Sequence, residues 1–229
     1  EKKFCETANI VTLPSKEDEI SLKAFACHAK TVVIPNTIDC DQYETINKTS
    51  GHAILFPGTL SYYTNIEGLK WFCQGVVPLL RTHLREKTPK IIVAGQNPTA
   101  ELRDVLSSAG IQVIENPPSM LPYLQESMIV IVPLLSGSGT RLKILEAMAA
   151  GRVVISTTKG AEGLDLRPDE DYLQADEPQS FAQAIIRILE NENKRLQIKA
   201  NAIKQVRIKY DWRAIRPHIS QVISQLQND

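Results

Sequence analysis

Short apolar runs alternate with longer stretches of helical periodicity along most of this chain. Residues 53–57, 90–94, 111–115, 129–133 and 153–156 are dense in aliphatic side chains, as expected of strands covered on both faces. Residues 65–84, 99–109, 139–150, 179–191, 192–209 and 212–227 carry apolar positions at helical spacing. Strand and helix in that succession predict βαβ units, giving an α/β Rossmann-like parallel sheet with helices on both faces. Gly95, Gly110 and Gly151 mark the joins, as turns and helix C-caps would. Pro78, inside the 65–84 segment, predicts a kink or break near Gly75.

A different pattern precedes this repeat. Residues 9–13 read as a strand, 17–26 as a helix and 31–34 as a second strand. Pro35-Asn36-Thr37-Ile38-Asp39 reads as a turn, and the polar stretch 41–51 as a linker. The expected division is therefore a small unit over 1–39 and one large domain over 40–229. The chain opens on Glu1 instead of Met, which reads as a piece of a longer polypeptide.

Charge and cysteine usage narrow the field. The 26 basic and 26 acidic side chains cancel, so no net field recruits nucleic acid. Cys5, Cys27, Cys40 and Cys73 lack zinc spacing and read as reduced thiols of a cytoplasmic protein. No apolar run approaches the roughly 20 residues that span a bilayer. Lys194, Arg195, Lys199, Lys204, Arg207 and Lys209 make one late helix basic; a solvated face is the plain reading, and peripheral contact with membrane headgroups or an acidic acceptor the sharper one. His28, His52, His83 and His218 are scattered and read as surface residues, while Trp71, Phe72, Val76 and Leu79 read as core.

The segment from Pro133 to Gly151 carries the chemistry. A strand runs into a small-residue loop containing Ser138, and the loop opens a helix. Gly137 and Gly139 allow close approach of a ligand, and unpaired amides at the helix start favour phosphate. Arg141 and Lys143 sit in the expected first turn, where cations oppose the helix dipole by about 0.3–1 kcal/mol each. A bound diphosphate reverses that sign and gives both a partner. On the helix wheel Leu142, Ile144, Leu145, Met148 and Ala149 share one face, and Lys143, Glu146, Ala147 and Ala150 the other. The small alanines suggest a low surface for a flat ligand, with Glu146 placed to accept two hydrogen bonds from a ribose diol. The alternative is an exposed Lys143–Glu146 surface pair of little energetic weight. Leu142 occupies the third glycine position of a G-x-G-x-x-G fingerprint, and no G-K-[ST] occurs, which argues against dinucleotide and P-loop sites.

These residues resemble the donor-binding motif of the retaining GT-B glycosyltransferases of family 4, the glycosyl transferases group 1. Gly139-Thr-Arg-Leu-Lys-Ile-Leu-Glu-Ala-Met-Ala-Ala-Gly-Arg-Val-Val-Ile-Ser-Thr157 matches one branch, and Gly160-Ala-Glu-Gly-Leu164 continues it. Pro35-Asn36-Thr37-Ile38-Asp39 resembles the P-N-G-V-D hinge between that family's two domains, with Thr for Gly. Phe56-Pro-Gly-Thr-Leu60 with Asn65, Val93-Ala-Gly95, Met120-Leu-Pro-Tyr-Leu124 and Tyr210-Asp-Trp212 match in order.

The resemblance implies the C-terminal half of a GT-B fold, with 1–39 as the end of an acceptor-binding domain. It implies transfer of a sugar from a nucleoside-diphosphate donor to a carbohydrate or glycolipid acceptor, with retention, in polysaccharide or glycolipid assembly. The implied partners include the rest of the N-terminal domain, and the implied setting is cytoplasmic or at the inner membrane face. Glu146 matches the second glutamate of the E-x7-E motif, the ribose ligand, and Ser138 stands at the first, which helps orient the donor sugar. Arg141, Lys143, Gly139 and Thr140 are implied diphosphate ligands, Gly58 and Thr59 line the pyrophosphate side, and Glu115 and Asn116 lie beside the base. Glu146, Arg141 and Lys143 are the implied catalytic set. No cofactor and no metal are implied, although Asp39-Cys40-Asp41 and Asp169-Glu170-Asp171 are triplets of a kind that holds manganese elsewhere. A nucleotide-sugar-binding module without catalysis and an NAD-linked oxidoreductase or epimerase stay open as alternatives.

Overall fold

The structure, a computed structural model, describes residues 2–46 and 51–228. The small unit comes first: helix α1 (Lys2–Thr7), strand β1 (Val11–Leu13), helix α2 (Lys16–Phe25) and strand β2 (Thr31–Val33). β1 and β2 pair in parallel as a sheet of their own, with Leu22, Ala26 and Ala29 as a separate apolar cluster. Ser15 caps α2 through the Asp18 amide. The expected 41–51 linker is different in kind. Its first residues form a 3-10 turn, Cys40–Tyr43, that buries Cys40 and Tyr43, while 47–50 fall outside the described residues.

The main domain contains β3 (Ala53–Thr59), α3 (Tyr63–Trp71), α4 (Val77–Leu84), β4 (Ile91–Gln96), α5 (Ala100–Ser108) and β5 (Gln112–Glu115). It continues with α6 (Leu121–Glu126), β6 (Ser127–Val132), α7 (Leu142–Ala149), β7 (Val153–Ser156), β8 (Leu173–Gln174), α8 (Pro178–Glu190), α9 (Glu192–Lys209) and α10 (Trp212–Asn228). Its six strands run parallel in the order β5-β4-β3-β6-β7-β8. Alternate residues feed two cores. Ile54, Phe56, Ile129, Ile131, Val153 and Ile155 face one layer of helices, while Leu55, Ile92, Val130, Val132 and Val154 face the other.

All five expected strands are present. β8 and α6 escape a periodicity reading because they are only two and six residues long, and Pro122 heads the latter. The expected 65–84 helix is three pieces, with a π-turn at Phe72–Val76 between α3 and α4. Pro78 explains it: the ring lacks an N–H, and the inserted residue re-registers the ladder just ahead of it. Leu79, expected as core, is 36% exposed. Gly95 is not a turn but lies within β4, where a Cβ would come 1.6 Å from the Gly58 carbonyl oxygen. Below the sheet, buried Arg152 donates to the carbonyls of Ala150 (2.8 Å), Ser127 (2.7 Å) and Ile46.

Chain order and spatial order together locate a crevice. From β3 the chain moves outward to β4, and from β6 it moves the other way to β7. Parallel α/β sheets bind ligands outside the carboxyl ends of strands at such a reversal. Here the segments leaving β3 and β6 face each other.

Candidate functional site

Both segments end in a helix start without a side-chain cap. Tyr62 is the N-cap of α3 and Arg141 the N-cap of α7, and neither first turn holds an acid. The sequence pattern places α7 from Gly139; the structure starts it at Leu142, because Gly137 and Gly139 take φ of +98° and +85°. Between the two starts lies a cleft of about 370 Å³, lined by Gly58, Thr59, Thr64, Asn65, Thr140, Arg141 and Lys143 among others.

Lys143 is the second residue of α7. Its Nζ donates to Asn65 Oδ1 at 3.1 Å and sits 4.3 Å from the centroid of the Phe56 ring. Asn65 is 6% exposed and donates from Nδ2 to the Thr59 carbonyl at 2.7 Å, so it joins the two loops. A Cβ at Gly58 would lie 2.8 Å from the Lys143 Nζ, which gives that glycine a steric reason. Burial first, then the Arg141 charge, push the Lys143 amine down to about 7, and Glu146 acts in the opposite sense. Arg141 donates from Nη1 to the Ser138 carbonyl at 2.9 Å. Its Nε and Nη2 are buried with no hydrogen-bond partner among the described residues. A guanidinium and an ammonium crowded at an uncapped helix start, with donors left over, are the kind of groups that attract an oxyanion.

Five of the expected residues therefore share one cleft: Gly58, Thr59, Thr140, Arg141 and Lys143. Thr140 also receives a hydrogen bond from Asn36, in the segment that follows β2. Ser138 contributes its backbone carbonyl, and Gly139 borders open space. Glu146 does not line the cleft. It is half-buried three residues beyond Lys143, beside the Tyr43 hydroxyl; burial pushes its carboxyl up, and the Tyr43 hydrogen bond and Lys143 oppose that. Glu115 ends the outer strand β5 at the same carboxyl edge, and Asn116 follows it. Glu115 pairs with both Nε and Nη2 of Arg103 at 2.6 and 2.9 Å, which holds its carboxyl low. Asn116 donates its N–H to the Gly95 carbonyl and accepts from the Asn97 amide.

One reading of the sequence needs correction. Ala147 and Ala150 offer no open surface to a ligand, since both are fully buried while Leu142, assigned to the apolar face, is 43% exposed. The small side chains serve packing: α9 lies across α7 and brings Ala202 and Val206 into the same cluster. The Asp39-Cys40-Asp41 triplet is a clasp. With Asp211 its carboxylates surround Arg213, at 2.8 Å from Asp39 and Asp41 and 3.4 Å from Asp211, and Arg207 adds a 3.3 Å contact to Asp41. In the second triplet Asp171 is fully buried and takes both an amide and the guanidinium of Arg167.

Several other side chains are accounted for. Lys194, Arg195, Arg207 and Lys209 of α9 bond Asp169, Glu192, Asp41 and Asp165, so much of the basic face is tied down internally. The four histidines are exposed, and the cysteines are free thiols. Among the described residues no helix is long and apolar enough to cross a membrane. Thr64 and Tyr43 escaped the sequence reading, because nothing in their neighbours marks the contacts they make; Asn65 carried a signal only through its place after Phe56–Leu60.

The family described as glycosyl transferases group 1 matches residues 51–191, more than half of the chain and all of the cleft. The chain belongs to that family. A Klebsiella pneumoniae protein described as an uncharacterized 44.6 kDa protein in the cps region is 29% identical over 171 residues. That alignment takes in 71% of this chain and 43% of the relative, so the chain spans under half of the relative's length. Among solved structures, a glycosyltransferase from Rickettsia africae superposes with a TM-score of 0.79 at 17% identity, over 100% of this chain and 67% of that one. HepE of Anabaena, in complex with UDP-glucose, superposes at 0.77 and 17% identity over 97% of this chain and 65% of that one. These structural likenesses establish the fold of the group 1 domain.

Proposed function

We propose that this chain is the donor-binding part of a retaining, family 4-like glycosyltransferase that takes its sugar from a nucleoside diphosphate. The observation that carries the reading is Arg141, a cation at the N-cap of α7 with two guanidinium nitrogens buried and without a hydrogen-bond partner among the described residues. Lys143, its amine held near 7 in the same cleft, gains its ordinary charge when an anion arrives. HepE is known with UDP, glucose and UDP-glucose, which supports a uridine nucleotide as the first ligand to try.

In this reading the diphosphate lies between Gly58–Thr59 and residues 139–143, with Arg141 and Lys143 on its oxygens. Glu146 takes the ribose diol beside Tyr43, the base lies toward Glu115 and Asn116, and Ser138 borders the sugar. Departure of the nucleoside diphosphate needs negative charge stabilised where it develops, and fixed cations at a helix start supply that without a metal. Residues 1–39 belong to the acceptor-side domain and 40–229 to the donor domain, joined at the Pro35–Asp39 hinge. The acceptor is a carbohydrate or glycolipid, in polysaccharide assembly at the cytoplasmic side; the cps-region description of the Klebsiella relative supports that setting.

Titration calorimetry with UDP and GDP tests the reading. Binding that weakens in Arg141→Gln and Glu146→Ala is expected. No heat with either nucleotide overturns it.

A further inference from the structure

Thr140 lines the cleft, and both arms of its side chain are held. Asn36, an exposed residue of the segment that follows β2, donates from Nδ2 to Thr140 Oγ1. On the methyl side stands Gly163, where a Cβ would lie 3.2 Å from Thr140 Cγ2 and 3.4 Å from Ser15 Cβ. A hydroxyl carries one proton and two lone pairs. Asn36 engages one lone pair, and the proton meets no acceptor among the described residues. The Thr140 hydroxyl is therefore a donor with a fixed direction at the edge of the cleft.

Asn36 is itself anchored on both sides along the chain. Two residues before it, the Ile34 N–H donates to the Leu13 carbonyl at 2.8 Å. Two residues after it, the Ile38 N–H donates to the Tyr210 carbonyl at 2.9 Å, and the Ile38 carbonyl accepts from the Trp212 N–H at 3.0 Å. The Arg213 clasp on Asp39 and Asp41 follows directly. We propose that Asn36 is a positioning residue for the donor cleft. It does not line the cleft; by donating to Thr140 it turns the proton of that hydroxyl toward the bound anion. The inference rests on the donor reading above and adds to it a residue outside the cleft. It also ties anion binding to the placement of the segment between the small unit and the main domain, because Asn36 reaches Thr140 from that segment.

A double-mutant cycle tests this. Affinity for UDP and GDP is measured by calorimetry for the unaltered chain, Asn36→Ala, Thr140→Val and the double variant. Asn36→Ala is expected to weaken nucleotide binding by about threefold to tenfold, as for the loss of one hydrogen bond. In the Thr140→Val chain, which keeps the shape but has no hydroxyl to orient, the same substitution changes affinity by less than about twofold. A purely structural role for Asn36 would cost the same in both backgrounds. Affinity unchanged in Asn36→Ala, or a loss that persists in full beside Thr140→Val, overturns the inference while leaving the donor site intact. If the unaltered chain binds neither UDP nor GDP, the donor reading fails and this inference with it.

Discussion

Replacing Lys143 by methionine separates stability from binding. The ammonium sits among Phe56, Asn65 and Gly58 with no ion pair among the described residues, and burial with the Arg141 charge lowers its amine from 10.5 to about 7. The unfolded chain holds its proton up to about 10.5. Below pH 7 both states are protonated and the penalty is full. From pH 7 to about 10.5 the unfolded state binds more protons, so stability rises with pH. At pH 7 the penalty is at most about 4 kcal/mol, at 1.36 kcal/mol per pH unit. Methionine removes it but forfeits the contact over Phe56 and the Asn65 hydrogen bond, about 1 kcal/mol each. The variant is expected to be more stable than the unaltered chain by about 2 kcal/mol at pH 7, with the gap closing by pH 9 to 10. Urea denaturation at pH 7, 8 and 9 reads this directly, with linear extrapolation to water. UDP, which stabilises the unaltered chain by mass action, stabilises the variant far less. A variant less stable at pH 7, or a pH dependence parallel to that of the unaltered chain, refutes the account of a cation held at a cost for an anionic ligand.

Other outcomes follow from the same geometry. Diphosphate binding near pH 8 takes up close to one proton, seen as binding heats that depend on the buffer's ionisation enthalpy, because the anion restores the charge of Lys143. Arg152→Met removes three hydrogen bonds to backbone carbonyls and lowers stability by about 3 kcal/mol or more in urea denaturation, without a specific loss of UDP affinity in the folded fraction. Gly95→Ala drives a methyl into the Gly58 carbonyl; it costs about 1–3 kcal/mol of stability and weakens UDP binding, because β3 delivers Gly58 and Thr59 to the cleft. Tyr43→Phe removes the hydroxyl beside Glu146 and raises the carboxyl further, so on acidification UDP affinity is lost at a higher pH than in the unaltered chain, measured by titration from pH 8 down to 5.

The sequence by itself determined the architecture and the location of the charged helix start. Alternation of aliphatic strands with helical segments is a local property, and each of the five longer strands carried its own periodicity. Arg141 and Lys143 were legible for the same reason: a cation at a helix start contradicts the dipole wherever the helix goes. Tertiary structure decided everything that depends on partners distant in the chain. Asn65 meets Lys143 across 78 positions, and Arg152 meets Ile46 across 106. Ala147 and Ala150 look like a free face on a wheel, and only the crossing of α9 shows them to be core. Thr64 is buried beside Gly137 of the loop after β6, a contact that nothing in its own segment marks. A side chain's periodicity is written beside it, whereas its partners and its burial belong to whatever the fold brings against it.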